Sequence, residues 1–297
     1  MSRSRKKNMV SLPLLTGLLS CSAYSIYAQS ASENYGLITG YGGTWLGQGN
    51  ALVNGSQAVQ NNSCVPTSVA NGLSYMQAYG YSTDSNPFST NPNTYDTVNA
   101  LQTAMGTTAT GTQPANSVTG LQTWLSANPT TPPISTYLTI NPSPQALANV
   151  LNANDGVQLG ILWGSVTDGT FTAAGGGHYV SLDAIDLTGG SGTIGILDPW
   201  GNSKPNAAST ASQDTLDVST VTIGTTAYLE VQYQNANLGD YPTPAPGTAY
   251  AGAGGIGVIA LDQVETLSAV PEPSSLVISG LASAGIGGFV FLRRRKV

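Results

Sequence analysis

The chain has 297 residues, nine of them Lys or Arg against fifteen Asp or Glu, and a formal net charge of −6. The basic residues cluster at the ends (Arg3, Arg5, Lys6 and Lys7; Arg293, Arg294, Arg295 and Lys296), with Lys204 alone between them. A middle that holds one lysine and nearly all the acids repels phosphate, which excludes nucleic-acid binding, and its Gly-, Ser-, Thr- and Asn-rich remainder suits an extracellular protein.

Residues 1–28 read as a signal peptide. A basic start precedes an apolar run from Val10 to Leu19, and small residues place a cut after Ala28 or Ala23. A second reading takes "LLSC" at 18–21 as a loose lipoprotein box with Cys21 lipidated. Either cut removes Cys21 and leaves Cys64 as the one cysteine of the mature chain, with no disulfide partner. Residues 29–54 form a lead-in segment, and residues 29–63 as a whole read as loop.

A helix is predicted from Cys64 to about Tyr79. Val69, Leu73, Met76 and Tyr79 follow its apolar period, Pro66 suits the first turn, and Gly80 is the stop. Residues 81–93 are turn-rich. Shorter helices are predicted over 94–105, 117–127 and 144–153, the last with Ser143 as N-cap and Pro144 first. After Gly156 the texture becomes β-rich: "VQLGILWGSV", "HYVSLDAIDL", "TIGILDP", "AYLEVQYQ" and "GIGVIALDQVETL". A Pro- and Gly-rich loop is expected within 234–256. Helices first and antiparallel strands second predict an α+β fold.

The C-terminus has a Pro-Glu-Pro at 271–273, an uncharged run from Ser274 to Leu292, and the basic cluster. The run is near the minimum length for a membrane span, and the cluster would hold its end on the cytoplasmic side. In this order, motif, helix and basic tail resemble the PEP-CTERM sorting signal of exosortase-processed bacterial proteins. The resemblance implies an exosortase-type processing enzyme as partner and membrane anchoring through this segment before processing. It further implies removal of the tail and delivery to the cell surface or extracellular matrix.

Three residues point to chemistry. Cys64 opens a helix, where unpaired N–H groups and the helix dipole favour a thiolate, although free cysteine is more often a small buried hydrophobe. His178, the only histidine, is expected in phase with Val180, Leu182 and Ala184 behind three glycines that leave room for a close approach. With a turn near Gly189 and Gly190, Asp198 falls opposite roughly residue 181, at the same open end of the hairpin as His178. Pro199 keeps Asp198 extended and Trp200 is placed to cover the pair; "DPWG" is equally a good turn sequence. Asp183 and Asp186 are rivals, one on the other face and one near the turn. One cysteine, one histidine and one carboxylate supply a nucleophile, an acid/base and an orienting group. One Cys and one His are too few for a closed zinc site, and no cofactor is expected.

"CVPTSVANGLSYM", "GGGHYVSLDAID" and "IGILDPWGN" resemble, in that order, the catalytic helix, histidine strand and Asp-Pro-Trp-Gly segment of papain-like cysteine peptidases related to the bacteriocin-processing family. The similarity covers about residues 55–203. It implies a papain-like fold over a domain at 55–268, followed by the sorting signal at 269–297. It also implies Cys64 as nucleophile, His178 as general base and acid, Asp198 as orienter, and a peptide or protein substrate. The family places an oxyanion glutamine about six residues before the cysteine; Gln57 is the nearest match, with Gln60 as fallback. A different reading keeps the fold as a non-catalytic surface or matrix-binding module.

Overall fold

The computed structural model describes residues 29–32, 45–78, 82–83, 95–131, 133–139, 143–153, 155–200, 212–232 and 256–269. The expected signal peptide, the stop at Gly80, the loop at 241–255 and the apolar run at 274–292 lie outside the described residues. Among the described residues no helix is long and apolar enough to cross a membrane.

The elements, in chain order, are β1 (Gln29–Ser32), α1 (Gln57–Asn61), α2 (Cys64–Ala78), β2 (Ser82–Thr83), α3 (Asp96–Ala104), α4 (Pro114–Ala127), β3 (Thr130–Thr131), β4 (Ile134–Thr139), α5 (Pro144–Asn152), β5 (Gly156–Thr167), β6 (Thr170–Thr188), β7 (Ser191–Asp198), β8 (Ser212–Ile223), β9 (Thr226–Gln232) and β10 (Ile256–Ala269). The α+β expectation holds, with helices ahead of an antiparallel sheet. The four predicted helices form. Ser143 caps α5 as read, its hydroxyl accepting from Ala146 N at 3.2 Å. α4 starts at Pro114 rather than 117, because proline is suited to a helix N-terminus. Within the stretch read as loop, β1 and α1 are ordered, and β8 is a strand that the sequence reading passed over. Its Leu216 and Val218 alternate with exposed Gln213, Thr215 and Asp217, a weak signal in so polar a run.

Six strands close on themselves: β5, β6, β7, β8, β9 and β10 pair in turn, and β10 returns to β5. β4 adds to β10 and β1 to β6. Alternation along each strand sends one row inward. Leu159, Ile161 and Trp163 on β5, Val180, Leu182, Ile185 and Leu187 on β6, and Ile194 and Ile196 on β7 join Leu216, Val218, Leu229 and Val231 in one buried cluster. Leu147, Ala148 and Leu151 of α5 join it as well.

A second cluster lies between α2, α3 and α4 and the outer face of the barrel. Val65, Val69, Leu73 and Met76 of α2 meet Val98, Leu101, Leu121 and Trp124, together with Tyr179 and Leu197 from the barrel. Leu46 and Val53, from the predicted lead-in segment, are buried in the same cluster, so the helical core draws on residues ahead of 55.

Candidate active site

The pairing of β6 with β7 decides which side chains meet. From Thr188↔Ser191 to Ala184↔Gly195 the ladder runs in one register; beyond the bulge it resumes as Leu182↔Ile196 and Ser181↔Leu197. Asp183 is the extra residue. A bulge of one residue switches the face that every later side chain takes. Above it Ile185 and Leu187 point inward; below it Leu182, Val180 and His178 do. Without the bulge, Tyr179 would occupy the inward row in place of His178. Two details of the sequence reading are corrected: Ala184 is out of phase with His178, and the continued register brings Asp198 level with Val180 rather than 181. Because Asp198 follows Ile196 on the inward row of β7, it shares a face with His178, as diagonal neighbours at one end of the barrel.

There His178 Nε2 donates to Asp198 Oδ1 at 2.7 Å. Asp198 is fully buried and His178 is 6% exposed. Trp200 N also donates to Asp198 Oδ1, at 2.8 Å, so the carboxylate closes the turn made by Pro199 and Trp200 while it holds the imidazole. The turn reading and the catalytic reading of "DPWG" thus describe the same oxygen. Trp200 itself is buried. The described residues contain no Lys or Arg, so His178 is the side chain there that can offset the charge of Asp198.

Cys64, half-buried, stands at the first turn of α2. The first helical bond is Thr67 N to Ser63 O, so the N–H of Cys64 has no partner within the helix. Burial is the largest single influence on His178 and opposes its cation. The charge and hydrogen bond of Asp198, together with the hydrogen bond and charge of Cys64, outweigh it and raise the imidazole from 6.5 to about 10. Since Nε2 is engaged with Asp198, Nδ1 is left for the cysteine. The structure therefore brings together the three residues that the sequence singled out, from α2, β6 and β7.

The glutamines fall elsewhere. Gln57 is exposed, and its amide donates to Asn61 Oδ1 within α1 at 2.7 Å. The amide of Gln60 donates to the carbonyls of Val53 at 2.8 Å and Gly55 at 3.4 Å. Both amides are thus engaged within α1 and the turn ahead of it. The glutamine beside the site is Gln48, which is 2% exposed. Its backbone N–H donates to Pro199 O at 2.7 Å, next to Asp198, and its side-chain amide donates to Asn61 O, three residues before Cys64. Gln48 spans the two sides of the site, and its Oε1 is buried with no hydrogen bond among the described residues. The segment carrying it is clamped: Asn71 of α2 binds both N and O of Leu46, and Tyr95 Oη accepts from Gly47 N. In the sequence this glutamine stands in "WLGQGN", sixteen residues before Cys64, well outside the spacing of about six that the resemblance implies for such a residue.

The glycines before His178 serve the barrel. A Cβ on Gly177 would lie 2.4 Å from Ile161 O, so this glycine admits the backbone of β5 rather than a substrate. Gly176 has φ +75, a conformation that side chains rarely adopt.

Residues 269–296 match the PEP-CTERM protein-sorting motif. That motif implies recognition by an exosortase-type processing enzyme, and it indicates export with membrane anchoring of the C-terminus before processing. Searches of curated proteins and of solved structures return no match.

Proposed function

We propose that the protein is an exported cysteine hydrolase of papain-like type that cleaves peptide bonds through Cys64, His178 and Asp198. The observation that carries the reading is convergence: the one cysteine beyond the signal segment and the one histidine of the chain meet at the mouth of a barrel, with a buried carboxylate 2.7 Å from the imidazole.

In this mechanism Cys64 Sγ attacks the substrate carbonyl carbon while His178 carries the proton. In this reading the N–H of Cys64 donates to the developing oxyanion, and the second amide proton of Gln48, whose first goes to Asn61 O, takes the role expected of Gln57 or Gln60. His178 then protonates the leaving amine as the C–N bond breaks, which leaves a thioester on Cys64. A water gives its proton to His178, attacks the thioester and releases the acid, and the proton stays with the thiolate–imidazole pair. Asp198 holds the imidazole in one orientation throughout and stabilises its cation.

The test uses the full chain, incubated with a mixed peptide library and with an electrophilic peptide probe. New peptide termini and a probe adduct on Cys64, both lost in Cys64→Ser and reduced at least a hundredfold in His178→Ala, are expected. A folded protein that yields neither termini nor adduct would sink the hydrolase and favour the non-catalytic surface module, which the low charge and the sorting motif also suit.

A further inference from the structure

Among the fully buried polar side chains that the mechanism does not use are Ser68 on α2, Gln158 on β5 and Ser181 on β6. They lie where α2 packs on the outside of the barrel, among Val65, Val69, Tyr179 and Leu197. Ser68 Oγ donates to Tyr179 O at 2.7 Å. Ser181 Oγ shares its proton between Ser68 O at 3.2 Å and Gln158 Oε1 at 2.8 Å. The β7 ladder ends at Ser181↔Leu197; past that rung β6 keeps its pairing with β5, and Ser68 takes the carbonyl of Tyr179.

Such a cluster costs desolvation that an apolar contact would not. What it adds is direction. Apolar packing is non-directional and lets a helix slide along a sheet, whereas hydrogen bonds of this length set its position to a fraction of an ångström. Ser68 is one turn, about 6 Å, from Cys64, and Tyr179 is the neighbour of His178. A shift of α2 at this point therefore changes the distance between Sγ and the imidazole directly.

We propose that Ser68, Ser181 and Gln158 are positioning residues that set Cys64 against His178. The proposal rests on the hydrolase reading. The charged and titratable groups at the pair are Cys64 from α2 and Asp198 from β7, and no cation approaches among the described residues.

The experiment follows iodoacetamide alkylation of the Cys64 peptide in the full chain from pH 5 to pH 10, by mass spectrometry. A free thiol slows about 200-fold between pH 9 and pH 6; the cysteine held against His178 is expected to slow less than that, and in His178→Ala to follow the free thiol. Ser181→Ala should lose at least tenfold at pH 6 with its pH 9 rate unchanged, and Ser181→Thr, which keeps the hydroxyl, should recover the parent profile. If Ser181→Ala does not fold, Ser68→Ala, which removes only the donor to Tyr179 O, is read the same way. A profile that moves in His178→Ala but not in Ser181→Ala or Ser68→Ala overturns the positioning role alone. A profile indifferent to His178→Ala overturns the Cys64–His178 pair and the positioning role with it.

Discussion

Asp198→Asn is the most informative single change at the site. It removes the charge facing His178 but keeps a side-chain oxygen to accept from Trp200 N, so the turn is preserved. The contact is 2.7 Å, and the two charge centres lie roughly 4 Å apart; at an effective dielectric of about 20 their attraction is about 4 kcal/mol. Divided by 1.36 kcal/mol per pH unit, that is about three pH units. Burial already opposes the cation more strongly than any other single influence, so with Asp198 neutral the imidazole should fall from about 10 to about 7. The chain holds one histidine, so an untagged protein gives one imidazole Cε1–H resonance, and an NMR titration from pH 5 to pH 11 reads it without assignment. A variant that still titrates near 10 would refute the argument that Asp198 sustains the imidazolium. So would a parent protein that titrates at the ordinary 6.5.

Two further outcomes follow from the same geometry. The folded state raises His178 from 6.5 to about 10, so it binds this proton more tightly than the unfolded chain does; the stability gained is complete below pH 6.5 and is lost as pH rises through about 10. Its upper limit is about 5 kcal/mol, and the urea midpoint should fall between pH 6.5 and pH 10 in the parent but stay flat in His178→Ala; an equal fall in both refutes it. Tyr95, whose phenol burial also raises, adds a loss only above pH 10. Gly177→Ala drives a methyl to 2.4 Å from Ile161 O and should cost about 1–3 kcal/mol, lowering the melting temperature by several degrees; an unchanged melt contradicts the close approach of β5.

Much of the site was legible because rarity made it so. Cys64 and His178 stood out in a chain that hardly uses their chemistry, and Asp198 stood out through "DPWG" and the hairpin count. The helix opened by Cys64 followed from its apolar period, and Ser143 capped its helix as local chemistry requires. Gln57 and Gln60 were not placed by spacing, since their amides bind Asn61, Val53 and Gly55. Spacing along the chain predicts which glutamine lies near a cysteine only when the intervening segment is regular, and here α1 and the turn before it engage both amides. Gln48 becomes visible only once Asn71, Tyr95 and Pro199 have gathered the lead-in segment against α2 and β7.

Composition and local pattern by themselves determined the class of the protein: exported, acidic, tagged for sorting, helical then β-rich, with one candidate nucleophile and one candidate base. Those properties reside in single residues and short windows, where propensity, charge and period act directly. Closure of the sheet into a barrel, and the face on which His178 points, were decided only in three dimensions. A strand repeats every two residues, so the single extra residue at Asp183 exchanges Tyr179 for His178 on the inward row. No local signal marks that exchange, because it depends on the register of β7 across from β6 and on the packing of both strands around the barrel core.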